Sequence, residues 1–504
     1  MGVVNNHVTL PFDEALTKTG NGRYNYLLAA TCSLILLSIC IDLFGFSLIV
    51  TAACDLNITV VEKGILTSLP FAGIILTSYM WGVISDTFGR KHSLKISLIM
   101  GFILSSLSSL SPNWIVLGAL KFLDVCFFCA ANSITYTLMG ESCVERVRSK
   151  FMLVMTVFLI WGSAASAILT YPTLSLDFAV DVPWLGIVFK PWRLLILVHA
   201  IPSGISAVAI LFFHESPKFL FYQGRAKEAL NVMKSIYAVN HGCSKDEFGV
   251  DALTEVQATV TKEKKSLVRT ILEQSAPMFR PPLLIRTIQL FFIVFVVYIT
   301  NNSFLVFQPI ILNLMKTSSG FTGNICALLR ANQDGQSSDA LSFNSTNVTN
   351  TIEVEECDGT VKLNTIITLV ISQTVYASLT FILAWFPNQR KFLMIFIICV
   401  SACSGILTTL MTDLLASVFF FLSFSCTCLA MGILSSYFVE MYPTSCRGMA
   451  SCLSIMVGRT SGFIGINIVA NCLFNYCEVT FYVWSILVLS SAVVSWYLPA
   501  DKKV

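Results

Sequence analysis

Of the 504 residues, 55% are hydrophobic and only 12% charged, with 32 Lys and Arg against 29 Asp and Glu for a net charge of +3. Soluble domains carry roughly 25% charged residues, so the chain has about half the usual means of facing water, and an ordinary soluble fold is excluded. A net charge this small also supplies no basic surface for a nucleic-acid partner.

The chain opens on a polar segment, residues 1–24, MGVVNNHVTLPFDEALTKTGNGRY. It lacks a basic stretch leading into a short apolar core, so it does not read as a cleaved signal peptide. Asn6 breaks the myristoylation pattern that Met-Gly begins. The first membrane helix is then expected to serve as the uncleaved signal. Twelve apolar runs of bilayer-spanning length follow: 26–50, 64–85, 93–111, 115–138, 151–171, 193–213, 286–312, 363–386, 393–412, 415–438, 449–472 and 478–498. Two polar stretches interrupt them. Residues 214–285 hold the helix-prone GRAKEALNVMKSIY and the basic KEKKSLVR, and residues 316–362 hold NSTNVTN and EVEECD. The expected architecture is an all-α membrane protein of two six-helix halves, 25–213 and 286–498. The loop 214–285 joins them through short helices that couple the halves, and 499–504 is a tail.

Lys and Arg concentrate on the side that holds the N-terminal segment, the central loop and the tail, even with that long loop discounted. The positive-inside rule therefore predicts cytoplasmic N- and C-termini. The opposite side carries the sequons at Asn57, Asn344 and Asn347, expected to be glycosylated. Cys326 and Cys357 share the outer loop and are expected to form a disulfide, the alternative being two free thiols. Most of the 17 cysteines, Cys126 and Cys129 among them, fall in apolar runs as small hydrophobes, and no metal site is expected.

Ionisable groups crowd the turn between the second and third runs, in Gly82-x-x-x-Asp86-x-x-Gly89-Arg90-Lys91. Gly89 permits a tight reversal and Gly82 close approach of a neighbouring helix. Asp86 is placed to face the positive N-terminus of a helix from the other half. Three further stretches pair acids with bases: MGESCVERVRSK with Glu141 and Arg148; FHESPKFLFYQGRAKEAL with Glu215, Ser216, Pro217 and Lys218; and FVEMYPTSCRGMA with Glu440, Tyr442, Pro443 and Arg447. On these residues the chain resembles the major facilitator superfamily, near its sugar and organic-ion porters. FDEALTKTGNGRYNYLL, Asp42 in SICIDLFGF, WRLLILVHAIPSG and YPTSCRGMASCLSIMVGRTSG narrow the resemblance to the synaptic-vesicle glycoprotein family and its vesicle-protein relatives. That resemblance implies two bundles rocking about a central site, with the acid–base pairs as gating latches. The chain also departs from the pattern. WFPNQRKF in the second half keeps Arg390 and Lys391 without the Gly and Asp, Lys121 stands where the family has arginine, and VFLIWGSAASAIL lacks the Gly-Pro pattern of drug antiporters.

A charge near the bilayer centre costs about 2.5–3.5 kcal/mol or more and persists only facing protein or water. Four residues are candidates for such depth: Asp42, Lys121, Asp124 and Arg459. Lys121 and Asp124, three apart, form a pair whose role is equally structural or functional. Asp42 is expected at the central cavity, binding a cation or carrying a proton, with a salt bridge to Lys121 or Arg459 as the alternative. Arg459 reads as an anion contact or as the counter-charge to Asp42. Trp161, Asn301 and Asn302 complete the expected substrate-binding set, and His199 reads as a buried, hydrogen-bonded histidine. No phosphate-binding loop and no nucleophile–base constellation is present, so neither an enzyme nor a cofactor is expected. Two readings stay open. One is a monomeric secondary transporter of a small organic solute, an organic ion or sugar-like, with a coupling proton or ion. The other is a non-transporting binding protein of transporter shape, and the membrane is plasma or vesicle in either case.

Overall fold

The computed structural model describes residues 9–56, 58–254, 276–281, 283–317, 323–330, 363–383, 389–442, 444–473 and 475–499. Each expected apolar run contains helix among its described residues. The first half comprises α2 (Arg23–Ala52), α3 (Val60–Phe88), α4 (Arg90–Ser108), α5 (Trp114–Ser142), α6 (Glu145–Leu174) and α7 (Pro191–Ala209), preceded by the short α1 (Phe12–Lys18). Between the halves lie α8 (Pro217–Tyr222) and α9 (Ala226–His241). The second half comprises α10 (Leu283–Thr317), α11 (Leu363–Leu383), α12 (Arg390–Leu410), α13 (Leu414–Phe424), α14 (Cys428–Met441), α15 (Thr444–Cys472) and α16 (Cys477–Trp496). One 3-10 turn, Ser425–Thr427, splits the tenth run into α13 and α14.

Among the described residues ten helices are long and apolar enough to cross a membrane, or eleven when Val61–Ser78 and Met80–Phe88, bent by 47°, count as one span. The expected run outside that count is α4, whose first turns carry Arg90, Lys91, His92 and Lys95. Side-chain caps fix several starts. Thr59 and Glu62 form a capping box on α3, Asn113 caps α5 and Asp413 caps α13.

Packing differs between the halves. The second half has an aromatic centre, Phe304 with Phe424, Phe481 and Trp484 at ring separations of 5.0, 5.3 and 5.9 Å. Small residues bring α15 onto α10, where a Cβ on Gly458 would lie 2.7 Å from the Tyr298 ring and one on Gly462 2.7 Å from Asn302 Nδ2. The halves meet along α3 and α15 and along α6 and α11. At one end of the first seam a Cβ on Gly64 would lie 2.5 Å from that of Ala470. That end is the far face; the end carrying Gly89, Glu141 and Glu215 is the latch face.

On the latch face the polar segments build a small second core from Phe12, Leu16, Leu220, Met233 and Phe248. Strand β1 (Thr9–Leu10) pairs in parallel with β4 (Ala252–Leu253), joining the chain's start to the central loop. Asn240 fastens this unit to α2: its Oδ1 accepts from Tyr24 N at 3.1 Å, and its Nδ2 donates to Asn25 Oδ1 at 2.9 Å and Thr19 O at 3.1 Å. Of the central loop, residues 214–254 are bonded to the first half, while residues 276–279 pack against α10 and α15 of the second, where Thr287 Oγ1 donates to Met278 O at 3.1 Å.

On the far face β2 (Val180–Val182) and β3 (Ile187–Phe189) form a hairpin between α6 and α7. Cys326 bonds Cys477, not Cys357, with Cα atoms 5.5 Å apart. The reason is the path of the chain after α10. Asn324 Nδ2 donates to Thr409 O at 2.6 Å and Ser417 Oγ accepts from Ile325 N at 3.2 Å, which holds Cys326 at the start of α16 rather than out in the loop. Cys54 is also disulfide-bonded. Asn57, Asn344, Asn347 and Cys357 lie outside the described residues.

Candidate functional site

The latch centres on Gly89, whose φ of 108° favours glycine and turns the chain from α3 into α4. The turn leaves the first N–H groups of α4 open, and Glu215 fills them. Its carboxylate accepts from the backbone N–H of Arg90 at 2.8 Å, Lys91 at 3.0 Å and Ser216 at 2.9 Å. An anion there meets both the orphan donors and the positive end of the helix dipole. Arg90 gathers the other acids: Nη1 lies 2.8 Å from Asp86 Oδ1, and Nε donates to Glu141 Oε2 at 3.2 Å. Ser216 caps α8 by accepting from Phe219 N at 3.0 Å and donates to Glu141 at 2.5 Å, with Pro217 at the first helical position. Burial, with Lys91 and Lys245 adding their charge, pulls the His214 imidazole below its usual range.

These contacts correct three expectations. Asp86 pairs within its own loop rather than with a helix of the other half. Glu141 is engaged by Arg90 and Ser216 rather than by Arg148, whose Nε has no acceptor among the described residues. Among the described residues Gly82 has no side-chain or backbone neighbour within 4 Å of a Cβ placed there, so on that account it borders open space instead of a closely packed helix. The side chains of Glu440 and Arg447 lie outside the described residues.

Deeper in the first half, Lys121 Nζ is bonded to Asp42 Oδ1 and lies 2.8 Å from Asp124 Oδ2. Ser105 Oγ donates to Asp42 Oδ1 at 3.1 Å, and the Phe46 ring centre lies 5.5 Å from the ammonium. All three charged residues are buried, and among the described residues Asp42 Oδ2 and Asp124 Oδ1 have no hydrogen-bond donor. Asp42 is therefore Lys121's partner, the alternative to its opening on a central cavity. His199 adjoins this group with Nε2 3.3 Å from Ser166 O, in the space left by Gly45.

The seam between the halves holds a cavity of about 30 Å³, lined by Ile39, Ser78, Trp81, Asn132, Met456 and Arg459 among others. That volume admits a water molecule or two, not an organic solute. Arg459 lies over Phe71 at 5.8 Å, and its Nε has no acceptor among the described residues. The remaining expected site residues stand elsewhere. Trp161 Nε1 donates across the second seam to Thr374 Oγ1 at 3.3 Å, while Asn301 and Asn302 are buried, Asn302 against Gly462 of α15. The five expected substrate residues thus fall in separate places, and Arg459 alone among them borders this cavity.

Sequence reasoning missed Ser105, Ser78, Asn132 and Thr374, single polar residues with no motif around them. It also missed a far-face cluster in which Arg193 donates to Ser109 O at 2.9 Å and Ser111 O at 2.6 Å, and Trp192 Nε1 donates to Asp55 at 2.8 Å.

The profile of the sugar (and other) transporter family matches residues 24–330. Similar curated proteins include organic cation/carnitine transporter 7 of Arabidopsis thaliana, 26% identical over 51% of this chain and 48% of that protein. Another is the putative transporter svop-1 of Caenorhabditis elegans, at 28% over 46% of this chain and 42% of that protein. Human synaptic vesicle glycoprotein 2B is 23% identical over 45% of this chain and 34% of its own length. The matched stretch thus spans less than half the length of each of these relatives. The partially occluded inward-open structure of the xylose transporter XylE from E. coli superposes with a TM-score of 0.65 at 14% identity, covering 95% of this chain and 100% of that one, a likeness of fold. With the family profile covering more than half of the chain, and ten or eleven membrane-crossing helices among the described residues, this multi-pass membrane protein belongs to the sugar (and other) transporter family.

Proposed function

We propose that the protein is a secondary active transporter that moves a small organic solute by alternating access, coupled to protons. The observation that carries the coupling is the buried group in α2 and α5: two carboxylates against one ammonium. With all three ionised, one negative charge has no partner in a low-dielectric interior, and a single bound proton removes it. Such a group holds a proton in one state and releases it when hydration or geometry changes. The seams support the rocking motion. The α3–α15 seam is tight at Gly64 and Ala470 on the far face, whereas Gly82, toward the latch face, lines the seam cavity. In this reading the latch face is cytoplasmic, α4 completes the twelve spans, the working unit is a monomer, and the membrane is plasma or vesicle.

The test is uptake into proteoliposomes of radiolabelled organic cations, anions and sugars, with and without an imposed proton gradient. Gradient-driven accumulation is expected for the wild type, and Asp42→Asn is expected to lose the gradient dependence while retaining exchange. A non-transporting binding protein is the second reading, favoured by a cavity of only about 30 Å³. No uptake of any solute by folded protein would establish it in place of the first.

A further inference from the structure

The end of α4 and the turn after it carry Ser105, Ser106, Ser108, Ser109 and Ser111, and all but Ser106 are buried. At the helix end the backbone tightens into 3-10 turns, with Ser109 N bonded to Ser106 O at 3.2 Å and Ser111 N to Ser108 O at 3.3 Å. At that pitch side chains three apart lie nearly in line, so Ser105, Ser108 and Ser111 form a ladder with rungs about 5 Å apart. The inner rung, Ser105, donates to Asp42 Oδ1 at 3.1 Å. The outer end meets Arg193, whose Nη1 donates to Ser109 O and Ser111 O and whose Nη2 lies 4.0 Å from Asp55 at the far-face surface. Ser111 Oγ and Arg193 Nε are buried, and among the described residues neither has a hydrogen-bond partner. Buried polar atoms so placed are met by water. One turn toward the latch face the packing is of another kind. Leu94, Leu98 and Phe128 are buried there, and a Cβ on Gly101 would lie 2.8 Å from the Phe128 ring.

We infer that the proton held by the Asp42–Lys121–Asp124 group comes and goes through the far face, along the Ser105–Ser108–Ser111 ladder, with Arg193 at its mouth. A hydroxyl accepts at its lone pairs while it donates its hydrogen. Ser105 gives its proton to Asp42 Oδ1 and takes one from the water or hydroxyl outside it. The same shift repeats at Ser108 and Ser111, and a hydronium at the far face supplies the last proton. One proton leaves far-face water and one arrives at the carboxylate, with no other net change. Arg193 sets the electrostatic barrier at the outer end, and the Asp55 carboxylate beside it offsets part of that charge. The charged and titratable groups around Asp42 are Lys121 and Asp124 of α5 and His199 of α7, while α4 brings the Ser105 hydroxyl and α6 the Ser166 carbonyl that His199 meets. This inference rests on the proton-coupled reading of that group and names the side from which its proton arrives.

The test uses purified protein in lipid vesicles, inserted in one orientation, with protons released on a single side by photolysis of a caged acid. Carboxyl protonation is read without any solute, as the acid carbonyl stretch in time-resolved infrared difference spectra, assigned by its loss in Asp42→Asn or Asp124→Asn. Release at the far face is expected to give that band promptly, and release at the latch face only as protons leak across the bilayer. Ser108→Ala and Ser111→Ala are each expected to slow the far-face rise by about tenfold, a barrier raised by roughly one hydrogen bond, with final amplitude and melting temperature unchanged. Ser111 Oγ has no bonded partner among the described residues to orphan, so the fold tolerates its loss. Ser108→Thr keeps the hydroxyl and is expected to keep the rate. A faster rise from the latch face, equal rates from both faces, or full speed in both alanine variants would overturn the route while proton coupling stands. No band at any pH in folded wild type would sink the proton-coupled reading itself, and the route with it.

Discussion

Two cations lie at membrane depth, one in each half, and their surroundings are opposite. Lys121 is held by two carboxylates, with a serine and an aromatic ring completing the group, whereas Arg459 has an aromatic face and, among the described residues, no acid. A charge whose counter-charges are built into the same half contributes to architecture, and its removal is felt as lost stability. A charge left without one does little for the fold and is available to something that arrives. Burial alone does not separate these cases; the partner inventory does.

The largest effect tests the first half of that contrast. Lys121→Met leaves two carboxylates buried without a cation and is expected to destabilise by about 3–5 kcal/mol. Combining it with Asp42→Asn and Asp124→Asn is expected to restore most of the loss, read as detergent melting temperature. Arg459→Gln is expected to change stability by less than about 1 kcal/mol, since no bonded partner is orphaned. Equal losses in Lys121→Met and Arg459→Gln would break the comparison. The latch extends it to a partnered anion: Glu215→Gln weakens the cap on α4 and is expected to cost about 1–2 kcal/mol. That loss should appear as faster hydrogen exchange in the first turn of α4, with the Asp42–Lys121–Asp124 group unaffected.

The smallest effect is electrostatic. The His214 imidazole binds its proton less readily in the docked structure than in water, where its value is about 6.5. The docked state therefore holds fewer protons, so its stability is full above that value and falls as the pH drops through the window below it. Acidification from pH 7 to pH 5.5 is expected to speed exchange in α8 and α9, after correction for intrinsic rates, and His214→Gln should lose that dependence. No change in the wild type would remove His214 from the latch.

The latch was largely legible in the sequence because its residues sit in short contiguous motifs: the Gly89–Arg90 turn, Glu141 at the end of α5, and Glu215-Ser216-Pro217 before α8. Which acid meets which base was not legible. Glu141 and Arg148 are neighbours in the chain, but the turn into α6 carries Arg148 toward Cys143 and Gly140 while Arg90 arrives from across the fold. The same limit governs Asp42 and Lys121, 79 residues apart, and Cys326 and Cys477, 151 apart. Periodicity and spacing report on one helix or one turn at a time, and these pairings are set by how helices pack.

The parallel pairing of β1 with β4 has a consequence for how the protein is made. Once the residue opposite Leu10, Leu253, has left the ribosome, the polar ties within α1 to α9 and their second core are all available, since the Glu215 cap, the Asn240 fastening and the Lys121 group lie within residues 9–253, and only seam contacts such as Trp161 with Thr374 await the second half. The first half can therefore mature before α10 is synthesised, as a finished surface on which the rest assembles. The second half has no such early closure. Its bond between Cys326 and Cys477 waits for the last helix of the chain, so its assembly is a late, nearly post-translational event, and mutations there should trap a nascent chain whose first half is already complete.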